Sequence, residues 1–162
     1  MNKIISKKQF SEKVFCIVVE APLIARSCRA GNFVIVRVDN NSERVPYTIA
    51  EKGTLTMVIQ EVGLSSTKLC QLEPGDEVLD IVGPLGQASH IENYGTVVCA
   101  GGGIGIAAIL PILTAFKKAG NRVISVLAGR TKELVIMVED VAKYSDEVII
   151  MTDDGSMGKK GV

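Results

Sequence analysis

The apolar pattern of this 162-residue chain changes period near residue 93, and that change limits the fold more than any single motif does. Before it, short β-branched runs recur between turn signals. Val14–Glu20 (VFCIVVE), Phe33–Asp39 (FVIVRVD), Leu55–Val62 (LTMVIQEV) and Glu77–Val82 read as strands. Ala30-Gly31-Asn32, Asp39-Asn40-Asn41-Ser42, Lys52-Gly53 and Pro74-Gly75-Asp76 punctuate them. Ser65–Leu72 departs from this rhythm: Leu69 and Leu72 stand three apart after a serine pair suited to N-capping, which predicts a turn or two of helix. About six strands with one short helix predict a small six-stranded antiparallel barrel over residues 1–93, a fold that closes its own edges.

After Gly83-Pro84-Leu85-Gly86 and a polar linker, strands and helices alternate. Thr96–Ala100 reads as a buried strand, Ile104–Ala119 as a helix and Val123–Leu127 as a second strand. Lys132–Tyr144 reads as a second helix with Leu134, Met137, Val138 and Val141 on one face, and Glu147–Met151 as a third strand. Such alternation predicts an α/β unit with a parallel sheet over residues 94–162. Nucleotide-binding sheets of this kind usually carry about five or six strands, so three predict a partial domain. One sheet edge is then left open, and an open edge invites self-association.

Charge gives no electrostatic handle. Eighteen Lys and Arg balance 18 Asp and Glu, which argues against a nucleic-acid or membrane-surface role. The longest apolar stretch, near Ile104–Leu113, is too short to span a bilayer and contains Pro111. Cys16, Cys28, Cys70 and Cys99 lie far apart without a C-x-x-C pair, so neither a metal knuckle nor a disulfide framework is expected. The opening Met1–Lys8 has no apolar export core, and a cytoplasmic protein is expected. His90, the single histidine, reads as an exposed linker residue without a titratable partner.

Two segments carry candidate chemistry. VVCAGGGIGIAA, Val97 to Ala108, sets Gly101, Gly102, Gly103 and Gly105 between a buried strand and a helix. Without Cβ atoms, backbone amides can approach a pyrophosphate at the helix start; the competing reading is a tight, closely packed turn. The second strand ends in Ala128-Gly129-Arg130, where Arg130 suits a 2′-phosphate or a pyrophosphate. The third is followed by Asp153-Asp154-Gly155-Ser156, either ribose contacts or a solvated turn. In the barrel half, Arg44-Val45-Pro46-Tyr47-Thr48 places a cation, an aromatic face and a hydroxyl on one extended stretch. Its alternative is an edge strand with a rim tyrosine. Gly63-Leu64-Ser65-Ser66-Thr67 offers a glycine and three hydroxyls at a helix start, a second phosphate cradle.

Taken in order, RVPYT, VGLSS, VGPLG, CAGGGIGIA, AGR and TDDGS resemble the ferredoxin–NADP reductase superfamily over nearly the whole chain. Within it the resemblance is to the electron-transfer subunits of dihydroorotate dehydrogenase B and the alpha subunits of NADH-dependent ferredoxin:NADP oxidoreductase and sulfide dehydrogenase. The resemblance implies an FAD-binding β-barrel joined to an NAD(P)-binding α/β domain. It implies that Pro46, Tyr47 and Thr48 line the isoalloxazine, with Thr48 near N5 as the catalytic residue. Arg44, Gly63, Ser65 and Ser66 would hold the FAD diphosphate. Gly101, Gly102, Gly103 and Gly105 would face the nicotinamide dinucleotide, with Arg130, Asp153, Asp154, Gly155 and Ser156 around its ribose and phosphates. In most of the superfamily the arginine lies three residues before the hydroxyl residue, where this chain has Val45, and Ala108 replaces a proline. The family's later strands and its cysteine-rich [2Fe-2S] segment are not in this sequence. The expected function is therefore electron transfer between NAD(P)H and an iron–sulfur partner subunit through FAD. The alternative is a truncated, non-catalytic flavin- or nucleotide-binding subunit with an assembly or regulatory role.

Overall fold

The computed structural model describes residues 2–51 and 53–161, and the chain divides into two compact units after Ala88. The first holds β1 (Ile4–Ser11), β2 (Val14–Val19), α1 (Pro22–Ser27), β3 (Phe33–Arg37), β4 (Val45–Glu51), β5 (Leu55–Gln60), α2 (Leu64–Gln71) and β6 (Asp80–Leu85). Its antiparallel sheet runs β1-β2-β5-β4-β3-β6. The segment before β6 then bonds to the start of β1. Ile4 N–H donates to Asp76 O at 2.8 Å, Gly75 N–H to Ile4 O at 2.9 Å and Val78 N–H to Asn2 O at 3.1 Å. These bonds join the two ends of the sheet, so the predicted six-stranded barrel is closed. Its core is the inward set Ile17, Val19, Val34, Val36, Leu55, Met57 and Ile59, with Leu69 and Cys70 added by α2.

Three features of this unit differ from the sequence reading. β1 carries IISKKQFS, whose lysines blur the alternation, and only Ile4 in it is fully buried. α1 starts on Pro22, a residue suited to a first helical turn because its missing N–H has no partner there anyway. The strand expected at Glu77–Val82 begins at Asp80, because the residues before it close the barrel onto β1 and Leu79 N–H bonds Val38 O at 3.0 Å.

The second unit holds β7 (Thr96–Gly102), α3 (Gly105–Lys118), β8 (Arg122–Gly129), α4 (Val138–Ala142), β9 (Glu147–Thr152) and β10 (Lys159–Lys160). The sheet runs β10-β9-β8-β7 and every pairing is parallel. It thus has four strands rather than the three expected, the fourth being only two residues long. Ile106, Leu110 and Leu113 turn one face of α3 into the core with Val123 and Leu127.

The single helix expected over Lys132–Tyr144 is corrected to a short 3-10 turn, Lys132–Leu134, followed by α4. Between them Val135 and Ile136 are buried and Met137 adopts φ 55°, a left-handed conformation that ends any continuous helix. Gly129 explains the break. A Cβ there would lie 2.9 Å from Val135 Cγ2 and 3.1 Å from Thr131 O, so the chain folds back tightly onto the strand end.

Candidate functional site

The barrel's ladder is incomplete along one strand. β4 pairs with β3 over Val45–Thr48, but with β5 only at Ile49 and Glu51, with a register shift between them. The β5 side of Val45–Thr48 is therefore unpaired among the described residues. Backbone groups there need a partner, and a flat ligand lying along that edge would supply one.

Register decides which way the RVPYT side chains point. Tyr47 and Val45 stand opposite Val34 and Val36, both fully buried, so they face the core; Pro46 and Thr48, opposite Ile35 and Phe33, face outward. The Tyr47 ring packs against the core, and its hydroxyl is buried without a hydrogen-bond partner. Burial, then the nearby Cys70, pushes that hydroxyl up to about 12. The Cys70 thiol is itself pushed up to about 11, chiefly by burial. The half-buried Thr48 hydroxyl makes no side-chain hydrogen bond among the described residues. Arg44 is exposed and ion-paired with Asp80 at 2.7 Å.

The start of α2 is stitched by its serines to the segment that precedes β4 and the one that follows β5. Ser65 Oγ accepts from Glu43 N–H at 3.1 Å, and Ser66 Oγ accepts from Val62 N–H at 3.0 Å and Gly63 N–H at 2.9 Å. Both serines are buried, so their hydroxyls hold the loop. The donors facing outward at this end are first-turn backbone N–H groups, which have no intrahelical partner. In front of them lies an open depression of about 540 Å³ lined by Lys13, Gln60, Glu61, Val62, Gly63 and Thr67. A Cβ on Gly63 would meet nothing within 4 Å, so the glycine leaves that space clear. Lys13 and Thr67 are additions to the residues singled out by sequence; Lys13 sits in a hairpin turn distant from any motif.

In the second unit the three candidate loops leave the same edge of the sheet. Gly102 is in register with Ala128, and Gly129 with Thr152. Cross-links tie the loops together: Gly103 N–H donates to Ala128 O at 2.9 Å, and Lys132 N–H to Ser156 Oγ at 2.9 Å. Arg130 and Asp153–Ser156 are thus brought beside the glycine loop, all exposed. The glycines have different duties. A Cβ on Gly101 would lie 3.0 Å from Ile109 Cδ1 and 3.1 Å from Gly105 O, which is the close-packing role. Gly103 takes φ 53°, which is the turn role. A Cβ on Gly105 would meet nothing within 4 Å, and on Gly102 only Ala128 O at 3.8 Å. Asp154 Oδ1 accepts from Ser156 N–H at 2.9 Å and Ser156 Oγ at 2.6 Å, which holds its carboxyl below the usual range and ties it to its own turn. Asp153 makes no such side-chain bond among the described residues.

His90 does have titratable neighbours, contrary to the sequence reading. Its Nδ1 lies 3.0 Å from Tyr94 Oη and its Nε2 3.3 Å from Glu92 Oε1, although the side chain is 75% exposed. None of the four cysteines is in a disulfide, and among the described residues no three His, Cys, Asp or Glu side chains group as a metal site. No helix among them is long and apolar enough to cross a membrane.

No family model matches the sequence. Relatives do. The chain is 44% identical over 166 residues to a dihydroorotate dehydrogenase B (NAD(+)) electron transfer subunit homolog of Thermotoga maritima, covering 100% of this chain and 58% of the relative. It is 31% identical to the dihydroorotate dehydrogenase B (NAD(+)) electron transfer subunit of Streptococcus mutans, covering 98% of this chain and 64% of that protein. The structure of an NADH-dependent reduced ferredoxin-NADP oxidoreductase, a flavin-based electron bifurcation system, superposes with TM-score 0.94 at 42% identity, over 100% of this chain and 60% of the other. A ferredoxin NADP+ reductase of Neisseria gonorrhoeae with bound FAD and NADP shares the fold at TM-score 0.76 and 18% identity. The chain spans about three fifths of the length of these sequence relatives. With the closed barrel, the parallel sheet and these relatives all in agreement, the chain is similar over its whole length to members of the ferredoxin–NADP reductase-like family.

Proposed function

We propose that this chain is the flavin- and nucleotide-binding part of a cytoplasmic electron-transfer protein, working between NAD(P)H and an iron–sulfur partner through FAD. The observation that carries the reading is the unpaired side of β4 at Val45–Thr48, with a buried unpartnered Tyr47 hydroxyl on one face of the strand and the unengaged Thr48 hydroxyl on the other. A flat ring system lying in the gap toward β5 can meet the Thr48 hydroxyl and the unpaired β4 backbone, with the Tyr47 side chain behind it on the core side. The residues present therefore fit FAD. When bound, FAD supplies hydride uptake from a nicotinamide and release of electrons one at a time.

The chain's own residues bind and orient. Pro46 fixes the path of β4. Thr48 Oγ would supply a hydrogen bond to the ring, at N5 by the family resemblance, and Tyr47 would border it from the core side. Gly63 and the first turn of α2 receive the diphosphate, with Ser65 and Ser66 holding that turn in place, and Arg44 becomes available if its exposed pair with Asp80 opens. In the second unit Gly102 and Gly105 leave room for the nicotinamide dinucleotide, while Arg130 and Asp153 flank its phosphates and ribose. Asp154, Gly155 and Ser156 shape the loop that presents Asp153. The iron–sulfur centre, a [2Fe-2S] cluster in this family, is assigned to a partner subunit or a further segment.

The test is spectroscopic. Wild-type protein reconstituted with FAD should lose its flavin absorbance on NAD(P)H addition. Thr48→Ala should retain FAD and be reduced about tenfold more slowly, a barrier change of ~1.4 kcal/mol. Protein that binds FAD and never bleaches would favour a non-catalytic assembly subunit; protein that binds no flavin would overturn the reading.

A further inference from the structure

We infer that Lys13, in the turn between β1 and β2, is the cation that holds the FAD phosphates received at the start of α2. The inference rests on the FAD reading above and extends it to residues outside every motif of the chain.

Topology forces the placement of Lys13. It sits in the turn between β1 and β2, and its carbonyl accepts the Glu61 N–H at 2.8 Å. The register continues from there, with Val14 opposite Gln60. The chain then leaves β5 through Glu61, Val62 and Gly63 into α2, so the lysine stands where β5 gives way to the α2 turn. Lys13 is exposed and forms no ion pair among the described residues, unlike Lys7, Lys68, Lys117 and Lys143. Arg44, the cation suggested by the motif, is already paired with Asp80.

The rest of the depression suits the other parts of a nucleotide. Val62 is 78% exposed and Leu64 72%, two large apolar side chains flanking a glycine, a surface that an adenine ring would cover. Glu61 faces the same space and repels phosphate, so the phosphates belong on the Lys13–Gly63 side. The Glu61 carboxylate and the Gln60 amide then serve ribose hydroxyls, which donate to a carboxylate. The path is continuous. From the unpaired stretch of β4, the Glu43–Ser65 hydrogen bond leads to Gly63, and Gly63 opens onto the depression.

The experiment measures the dissociation constants of FAD and of riboflavin for flavin-free wild-type protein, Lys13→Gln and Lys13→Arg, with thermal melts as a folding control. Lys13→Gln should weaken FAD about tenfold, or ~1.4 kcal/mol, and leave riboflavin unchanged. It should also flatten the salt dependence of FAD binding, while Lys13→Arg recovers most of the affinity. FAD binding by Lys13→Gln within twofold of wild type would overturn the inference and leave the FAD reading intact. Equal weakening of both ligands would overturn it too, since riboflavin carries no phosphate. Failure of the wild type to bind FAD would remove the parent reading and this inference together.

Discussion

The glycine loop between β7 and α3 can be divided into packing and binding by two substitutions of one methyl group each. At Gly101 the added Cβ would lie 3.0 Å from Ile109 Cδ1, 3.1 Å from Gly105 O and 3.1 Å from Ile106 Cα. Two of those atoms are backbone of the α3 start, so relief requires shifting the helix rather than turning a side chain. Overpacking of that kind costs ~1–3 kcal/mol. At Gly105 the same methyl meets nothing within 4 Å. Gly105→Ala should therefore leave the second unit as stable as before or raise its stability by ~0.4–1 kcal/mol, through lost freedom in the unfolded chain. Its methyl would nevertheless stand where a dinucleotide must approach, and NADH affinity should fall at least about tenfold, ~1.4 kcal/mol. Urea denaturation monitored on the second unit, together with calorimetric titration of NADH, reads both effects. Normal NADH binding by Gly105→Ala would refute the binding role and leave the loop as a tight turn. An undisturbed stability for Gly101→Ala would refute the packing role.

Tyr47→Phe removes a buried hydroxyl that has no partner, so the flavin-free barrel should gain ~1 kcal/mol, read by denaturant midpoint. The same hydroxyl ionises near 10.0 when unfolded and at about 12 when folded, so its contribution is complete below 10.0 and disappears as pH rises through 12. Alkaline stability curves of Tyr47→Phe should be flatter in that window. Asp39 is held down at about 2, first by its hydrogen bond from Lys68 and next by that from Ser42, so its contribution is present above 3.8 and lost as pH falls through about 2. Lys68→Ala should return the Asp39 titration toward the ordinary carboxylate range, as measured by NMR of its side-chain carboxyl.

The sequence made the change of architecture and most strand positions legible because burial alternates in β3 and β8 and β5 is one continuous buried run. It was opaque where long-range pairing, rather than local pattern, makes the element. β1 has two adjacent lysines and becomes a strand by bonding β2 on one side and the Gly75–Val78 segment on the other. The second-unit helix failed because Leu134, Met137, Val138 and Val141 keep a helical period in sequence, while the fold-back at Gly129 buries Val135 and Ile136 between them as a turn. At the candidate site the motif residues were legible by type. Their directions were not: whether Tyr47 or Thr48 faces the core follows from the register with β3. Lys13 was invisible because a backbone bond to Glu61, far from it in sequence, brings it to the site.

The two units differ in how their sheets end, and that difference has a measurable consequence. The barrel closes onto itself, whereas the parallel sheet has two edges of opposite character. β10 is two residues long and both are lysines, a short charged edge that discourages pairing. β7 runs seven residues, TVVCAGG, without a charge or a proline, and its ladder with β8 has no bulge. No strand pairs with its outer side among the described residues. One face is also bare. Val98 is 65% exposed, and Val98 and Ala100 align with Ile124 and Val126 of β8, with Ile149 following on β9. Parallel sheets are ordinarily covered on both faces, because their strands are apolar throughout. This chain should therefore associate with a second copy along β7. Light scattering should show mass rising with concentration, and hydrogen exchange should show β7 amides gaining protection over the same range while β8 amides stay protected throughout. Val98→Lys should abolish the concentration dependence without unfolding the unit, since that side chain contributes little to the existing core. A chain that stays monomeric at high concentration, with β7 amides as slow to exchange as those of β8, would show that this edge is stable alone and that the reasoning from edge chemistry fails.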